Sequence, residues 1–436
     1  MVDLIVDFLS RLLLGLLPLA GVVLLGRIAW IIWLHYIQQD FISGIDFVLL
    51  EIIPPRDVLR SPKAMELFIT NALYHFSYKG GKEEYWQGAV WFWFSLEIAS
   101  IEGQVHFYIR TPTRVRSLIE TQMYAQYPQS QVKAVEDYTL AVDEISEKSS
   151  WMGWGCEFGL LRNQAYPIKT YIDYGLDEDP KEEYKVDPIS PVIELFGSLQ
   201  KGEQAWLQIV ITPSKKMYHT KGTWFGKHDW VRESRLRLIK ILEPFTNTRE
   251  NVLTGTNAIE VRSPKFMDPT IQRIGDKTSK LGFETGIRLM YVGKKENFNM
   301  SNRRNIRLIF RQYQNPDANG FDRINSAQAD RYSGIFTASQ KTIMLLANRM
   351  LKEYRERSFH HEPLRQKIFS QHNFNWPIPQ VFTLAGIIKA YVHTETYVLN
   401  TEELATIWHF PGQILKVPTL ERIESKEASP PTNLPT

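Results

Sequence analysis

The stretch from Leu12 to Leu34 constrains this chain more than any other feature, because among its 23 residues only Arg27 is charged. At about 1.5 Å per residue a helix there reaches roughly 34 Å, enough to cross a hydrocarbon core of about 30 Å with some tilt. A soluble core helix of that length would show a polar face, and this one has none. Trp30, Trp33 and Tyr36 gather at its C-terminal end, where amphipathic rings sit well at headgroup level. Arg27 lies past the midpoint and can snorkel to the same interface. A cleaved signal peptide is the competing reading. The run is longer than an h-region, no small-x-small site follows it, and the n-region carries Asp3 and Asp7. The expectation is one uncleaved span in the cell membrane. Arg11 on one side and the more distant Arg56, Arg60 and Lys63 on the other leave its orientation open.

The remaining chain alternates between strand-like and helix-like pieces. Phe47 to Ile53 is a β-rich apolar run closed by Pro54 and Pro55. Ser61 caps a helix with Pro62 in its first position, and Met65, Phe68, Ile69, Ala72, Leu73 and Phe76 recur at helical spacing. Val90 to Ile101 and Gln104 to Arg110 flank Glu102-Gly103 and read as a hairpin. A helix from about Thr113 to Tyr127 and a strand near Gln131 to Tyr138 complete a strand, helix, two-strand hairpin, helix, strand order. That is the split βαβ pattern of a ferredoxin-like sandwich. A second α/β region carries strand character at Glu157 to Tyr174, Ala205 to Thr212 and Phe283 to Val292, with a short helix at Pro191 to Leu199. Arg262-Ser263-Pro264-Lys265 repeats Arg60-Ser61-Pro62-Lys63 ahead of a helix, a weak signal of duplication.

Toward the C-terminus, Ile343, Leu346, Ala347, Met350, Leu351 and Tyr354 form one apolar stripe on a helix, read as packing on its own body or docking a partner. Asn400 with Glu403 makes a capping box and Leu399 with Leu404 a hydrophobic staple, so a short helix should run through Trp408. The tail ending Pro430-Pro431-Thr432-Asn433-Leu434-Pro435-Thr436 is too polar to order itself. The fold expected is thus α+β: an anchor with one transmembrane helix at 1–40, a ferredoxin-like domain at 41–145, a second α/β domain with a basic insertion at 146–336, and a helical region with a disordered Pro-rich tail at 337–436.

The near-neutral total of 51 Lys+Arg against 48 Asp+Glu conceals segregation. Residues 1–200 carry a net −10, residues 201–312 a net +12 and the remainder +1. Lys215, Lys216, Lys221, Lys227, Arg232, Arg235, Arg237 and Lys240 are interleaved with Trp224, Phe225 and Trp230. Phosphate with exposed bases would favour that mixture, and so would an anionic leaflet or an acidic protein. A solvated face is the plainest alternative.

Catalytic and cofactor signatures are lacking in the sequence. Gly222 to Lys227 and Gly275 to Lys280 lack the phosphate-loop spacing, and neither H-e-x-x-H nor a G-x-S-x-G elbow occurs. One cysteine, Cys156, excludes internal disulfides and multi-thiolate zinc sites, reads as an inert hydrophobe beside Trp151 and Trp154, and fits a cytoplasmic body. His360, His361 and His372 show no convincing ligand spacing, and Asp173, Asp177, Glu178 and Asp179 form an acidic loop without the EF-hand glycine. No catalytic, cofactor or metal residue is assigned, and no enzymatic activity is expected.

Several stretches resemble an uncharacterised membrane-anchored domain family of candidate-phyla (Patescibacteria-type) bacteria. They are Trp93 to Ile98, Gly103 to Arg110, Tyr124 to Pro128, Val135 to Tyr138, Leu399 to Gly412, and Arg422 to Lys426 with Pro430-Pro431. Members of this kind resemble the N-terminal part of conjugative coupling-protein-like ATPases of type IV secretion. The resemblance implies a single-pass membrane scaffold or adaptor at a translocation apparatus. The sequence stops at Thr436, about where a fused member continues into its ATPase, so the expected partners are the bilayer and a separate ATPase, with homo-oligomerisation open. A membrane-tethered nucleic-acid-binding module and an enzyme of unrecognised type are the alternatives.

Overall fold

The computed structural model describes residues 2–55, 60–75, 81–177, 186–214, 218–219, 227–251, 256–261, 265–326, 340–357, 359 and 396–412. Helix α1 (Val2–Ser43) begins before the expected span and continues beyond it, with Pro18 in its interior. Its portion Gly21–Ser43 is long and apolar enough to cross a membrane, with mean hydropathy 1.4. Leu19, Val22, Val23 and Leu25 stand exposed along it.

The first half of the body contains β1 (Phe47–Ile53), α2 (Pro62–Phe68, continued by a π-helical turn at Ile69–Leu73), α3 (Gly81–Trp86), β2 (Phe94–Ile101), β3 (Gln104–Pro112), α4 (Arg116–Gln126) and β4 (Gln131–Val135). Ser61 accepts a hydrogen bond from the Lys63 N–H and Pro62 opens α2, as the capping pattern requires. Glu102 and Gly103 have φ of 53° and 86°, the doubly left-handed pair that a two-residue hairpin needs to match strand twist. Strand β2 starts at Phe94 rather than Val90, and β4 stops at Val135.

The second half contains β5 (Trp151–Leu160), α5 (Ser190–Gly197) and β6 (Glu203–Pro213). An insertion follows with β7 (Tyr218–His219), β8 (Lys227–His228), α6 (Trp230–Leu242), β9 (Thr246–Asn251), β10 (Thr256–Val261) and α7 (Asp268–Ser279). Then come β11 (Gly282–Lys294), α8 (Met300–Ile306) and β12 (Phe321–Ser326). The strand expected at Glu157 to Tyr174 is displaced toward the N-terminus. Gly153 and Gly155 admit close neighbours there, since a Cβ on Gly155 would lie 2.4 Å from the Met290 sulfur.

All nine strands of the main sheet pair antiparallel, in the order β12-β5-β11-β6-β2-β3-β1-β4. The ninth, β13 (Tyr397–Asn400), pairs with the start of β11. Counting the four main strands of each half in chain order, both halves are arranged 4-1-3-2, and they meet edge to edge where β2 pairs with β6. The architecture therefore repeats, but the repeated tetrapeptide does not mark equivalent places. Its first copy precedes the helix between the first and second strands, whereas the second copy precedes α7, between the second and third; Arg262, Ser263 and Pro264 lie outside the described residues.

One sheet face is apolar, with Leu50, Phe107, Leu96, Leu207, Leu289 and Cys156 buried on it. The C-terminal segment covers it: Phe410 lies 5.2 Å from Phe107 and 4.9 Å from Tyr127, which follows α4. Helix α10 (Thr401–Ile407) packs on α2, and its expected capping box is present, the Asn400 side chain accepting from the Glu403 N–H while Glu403 accepts from the Asn400 N–H. The region expected to be helical also supplies β13 to the sheet. Helix α9 (Gln340–Glu356) covers the opposite face, its apolar stripe of Leu346, Ala347, Met350, Leu351 and Tyr354 buried on the chain's own body.

Two glycines give a paired prediction. Gly88 has φ +67°, and a Cβ there would sit 2.2 Å from the Ile37 carbonyl oxygen of α1. Gly88→Ala should lower the unfolding free energy by about 2 kcal/mol or more through strain and displacement of α1. Gly275, inside α7, has open space around it, so Gly275→Ala should raise stability by about 0.8 kcal/mol. Urea unfolding of the detergent-solubilised chain checks both.

Candidate functional site

The strands are mostly apolar, yet seven adjacent ones carry a polar side chain at the same level. Register places Lys133 opposite Glu51, Glu51 opposite Tyr108, Tyr108 opposite Glu97, Glu97 opposite Gln208, Gln208 opposite Arg288, and Arg288 opposite Glu157. Directly opposed residues share a face, so a polar row crosses the sheet from exposed Lys133 to fully buried Glu157. The repeat relates its members: Glu51 and Glu157 stand on the first strands of the two halves, Tyr108 and Arg288 on the third, Glu97 and Gln208 on the second.

Glu97 is the hub. Its carboxylate accepts hydrogen bonds from Ser95 at 2.5 Å, Tyr138 at 2.8 Å and Gln208 at 3.3 Å. Arg357, directly after α9, donates Nε to it at 3.0 Å and Nη2 at 3.2 Å, and reaches Asp137 at 2.5 Å through Nη1. Gln208 Nε2 also donates to the Tyr354 carbonyl at 2.9 Å, and the Tyr354 and Tyr138 hydroxyls are 2.8 Å apart. Arg288 pairs with Glu157 at 2.6 Å and with Glu353 of α9 at 3.2 Å, while its guanidinium lies over the Phe359 ring. Burial pushes the Asp137 carboxyl up, but the Arg357 charge and hydrogen bonds from Arg357 and Thr139 together hold it below its ordinary value. The row is thus a clasp: Arg357 on Glu97 and Asp137, and Arg288 on Glu157 and Glu353, fasten α9 to the sheet.

The C-terminal segment is fastened in the same way. Lys277 and Glu403 pair at 2.9 Å with both side chains fully buried, and Lys280 bridges Glu66 and Glu402. His409 meets Asp187 at 3.0 Å. Burial raises the Asp187 carboxyl, but His409 and the Ile189 and Gly412 N–H groups outweigh it and leave it lowered.

Helix α1 joins the body through the short connection Gly44-Ile45-Asp46 and packs against it. Trp30 lies 6.1 Å from Tyr85 of α3, Ile37 is buried, and Phe41 and Ile42 pack with Phe47 around Val90, Trp93, Val210 and Phe359. Of the expected span, Trp30, Trp33 and Tyr36 are exposed, Trp86 of α3 stands beside them at 68% exposure, and Leu34 and Arg27 are partly covered. Leu12 lies within α1, with its side chain outside the described set. The expected basic surface is seen in part. Arg232, Arg235, Arg237 and Lys240 are exposed on α6, and Lys227 belongs to β8. Lys215, Lys216, Lys221, Trp224 and Phe225 lie outside the described residues, while Trp230 is buried.

Cys156 is buried and free, and burial pushes its thiol up. Asp173 binds Arg273 at 2.9 Å. His360, His361 and His372 lie outside the described residues, and among the described ones there is no group of three or more His, Cys, Asp or Glu placed to hold a metal. Sequence reasoning missed the polar row. Its available signal was one charged or amide residue in the middle of an apolar strand, as in Leu-Glu-Ile at 96–98 and Ile-Arg-Leu at 287–289.

A family characterised only as a domain of unknown function (DUF8128) matches residues 92–363, well over half of the chain, and the chain belongs to that family. The match runs from just before β2 through α9 and thus takes in the Glu97–Arg357 clasp. No curated protein matches.

Removing Arg357 leaves Glu97 buried with its charge uncompensated, so Arg357→Met should cost about 3 to 5 kcal/mol in urea unfolding. Acid supplies a second test. Asp137 and Asp187 have folded-state values below their unfolded ones, so their contribution is present above the ordinary carboxylate range and is lost as pH falls through the folded values. Stability measured from about pH 6 down to about pH 3 should fall, and Asp137→Asn or Asp187→Asn should flatten that slope while lowering the plateau.

Proposed function

We propose that this DUF8128 protein is a non-enzymatic, single-pass membrane platform whose rigid body stands directly against the bilayer and presents a docking surface to a separate translocation ATPase. The observation that carries it is the junction of α1 with the body. The helix passes from its exposed apolar stretch through Trp30, Trp33 and Tyr36 into packing with α3 and Trp93, so the body has no free swing. In this reading the hydrocarbon span follows Leu12 to Leu34, the aromatic residues of α1 and α3 share the headgroup level, and the body faces the cytoplasm, in keeping with its free thiol. Each half of the sheet is read as a ferredoxin-like split βαβ unit, a reading supported by the repeated 4-1-3-2 order. The ATPase partner and the type IV secretion setting come from the resemblance to coupling-protein-like chains.

Membranes carrying the native chain test this. The chain should stay in the pellet through alkaline carbonate extraction, and mild-detergent purification should recover an ATPase with it. Release by carbonate would overturn the anchor, and repeated purification without an ATPase would overturn the adaptor role.

A further inference from the structure

The insertion between β6 and β11 is basic, with 14 Lys+Arg against 7 Asp+Glu over residues 214–281. The sheet fixes where it emerges. Phe47 pairs with Pro112, Phe94 with Ile211 and Phe283 with Pro213, so the start of β1, the end of β6 and the start of β11 lie at one end of the sheet. Helix α1 enters at that end, immediately before β1, and packs on Val210 and Trp93 there. The insertion leaves and returns at the same end, and Trp230, the first residue of α6, is buried within reach of Gly282 at the β11 start.

Helix α6 is built in two faces. Trp230 and Ser234 point inward, and Asp229 caps the helix by accepting from the Val231 and Arg232 N–H groups. At 100° per residue the middle of the outward face holds Arg232, Leu236 and Ile239. Arg235 flanks them on one side, with Lys240 and Glu233 on the other, while Arg237 is exposed but lies round toward the Trp230 side. Leu236 and Ile239 are 48% and 60% exposed, and no described residue forms an ion pair with any of the four basic side chains. An apolar centre with basic flanks is the signature of a helix lying in a headgroup region, where it gains both apolar burial and attraction to anionic lipid.

We propose that α6 lies on the surface of the bilayer that α1 crosses, binding anionic lipid headgroups through Arg232, Arg235 and Lys240 with Leu236 and Ile239 entering the headgroup boundary. This rests on the reading of α1 as a membrane span. A nucleic acid fits the same helix less well. The one aromatic residue of α6, Trp230, is buried and cannot stack on a base, and a phosphate backbone gains nothing from covering Leu236 and Ile239.

The buried Cys156 allows a polarity-sensitive fluorophore to be placed at Ile239→Cys in the otherwise unaltered full chain. In nanodiscs containing phosphatidylglycerol its emission should shift to the blue, the shift should shrink with added salt, and pure phosphatidylcholine discs should give none. Each of Arg232→Gln, Arg235→Gln and Lys240→Gln should weaken the contact about fivefold, the effect of one basic group at an anionic surface, and all three together should abolish the shift. A chain that enters both kinds of disc with unshifted emission overturns the lipid contact alone, as does a shift produced by duplex DNA and not by the anionic discs. A chain that enters neither overturns the membrane span and this contact together.

Discussion

Glu97 sits in the middle of a sheet covered on both faces, and Arg357 and three neutral donors converge on its carboxyl group. An isolated carboxylate in such a place would cost several kcal/mol and would shed its charge. The pair therefore couples two distant parts of the chain: β2 can keep its acid in the core only if α9 closes, and α9 ends correctly only if Arg357 finds Glu97 and Asp137. Arg357 adopts a φ of 52°, a left-handed conformation that a non-glycine residue holds only when its surroundings compel it. The same row sets strand register, because a slip of one residue would turn Glu97, Gln208 and Arg288 onto the apolar face.

Joining the halves at β2 and β6 removes two edges that would otherwise offer unpaired backbone. It also makes the sheet stiff and wide, with the helices on the apolar side and α9 on the polar side. That arrangement leaves one end of the sheet to receive both α1 and the basic insertion. The body thereby acquires polarity, with α1 and the basic insertion at the same end. The platform role proposed for this chain needs that polarity.

Much of the local structure was legible in the residues themselves. Ser61-Pro62 marks a helix start, Glu102-Gly103 a hairpin, and Asn400 with Glu403 a capping box, because each depends on backbone groups only a few residues away. Misplaced boundaries occurred where a distant neighbour decides. The displaced strand β5 depends on Gly153 and Gly155 meeting Ile145, Met290 and Met350 at close range. The stripe on α9 was legible as apolar, but which surface it covers was not, since the clasp joins residues 260 positions apart. The identical tetrapeptides drew attention to a repeat and misplaced its register, for the repeat resides in strand order and not in those four residues.

By itself, then, the sequence determined the long apolar helix with its aromatic end, the α+β class and the segregation of charge, all of which follow from periodicity, capping and composition along a single segment. Only the tertiary structure decided that two similar halves share one sheet, that isolated mid-strand residues such as Glu51, Glu97 and Glu157 form one row, and that the basic helix emerges at the same end of the sheet as α1. Those outcomes depend on pairing between strands far apart in the chain, where the energy of a buried charge rests on a partner that no local pattern can name.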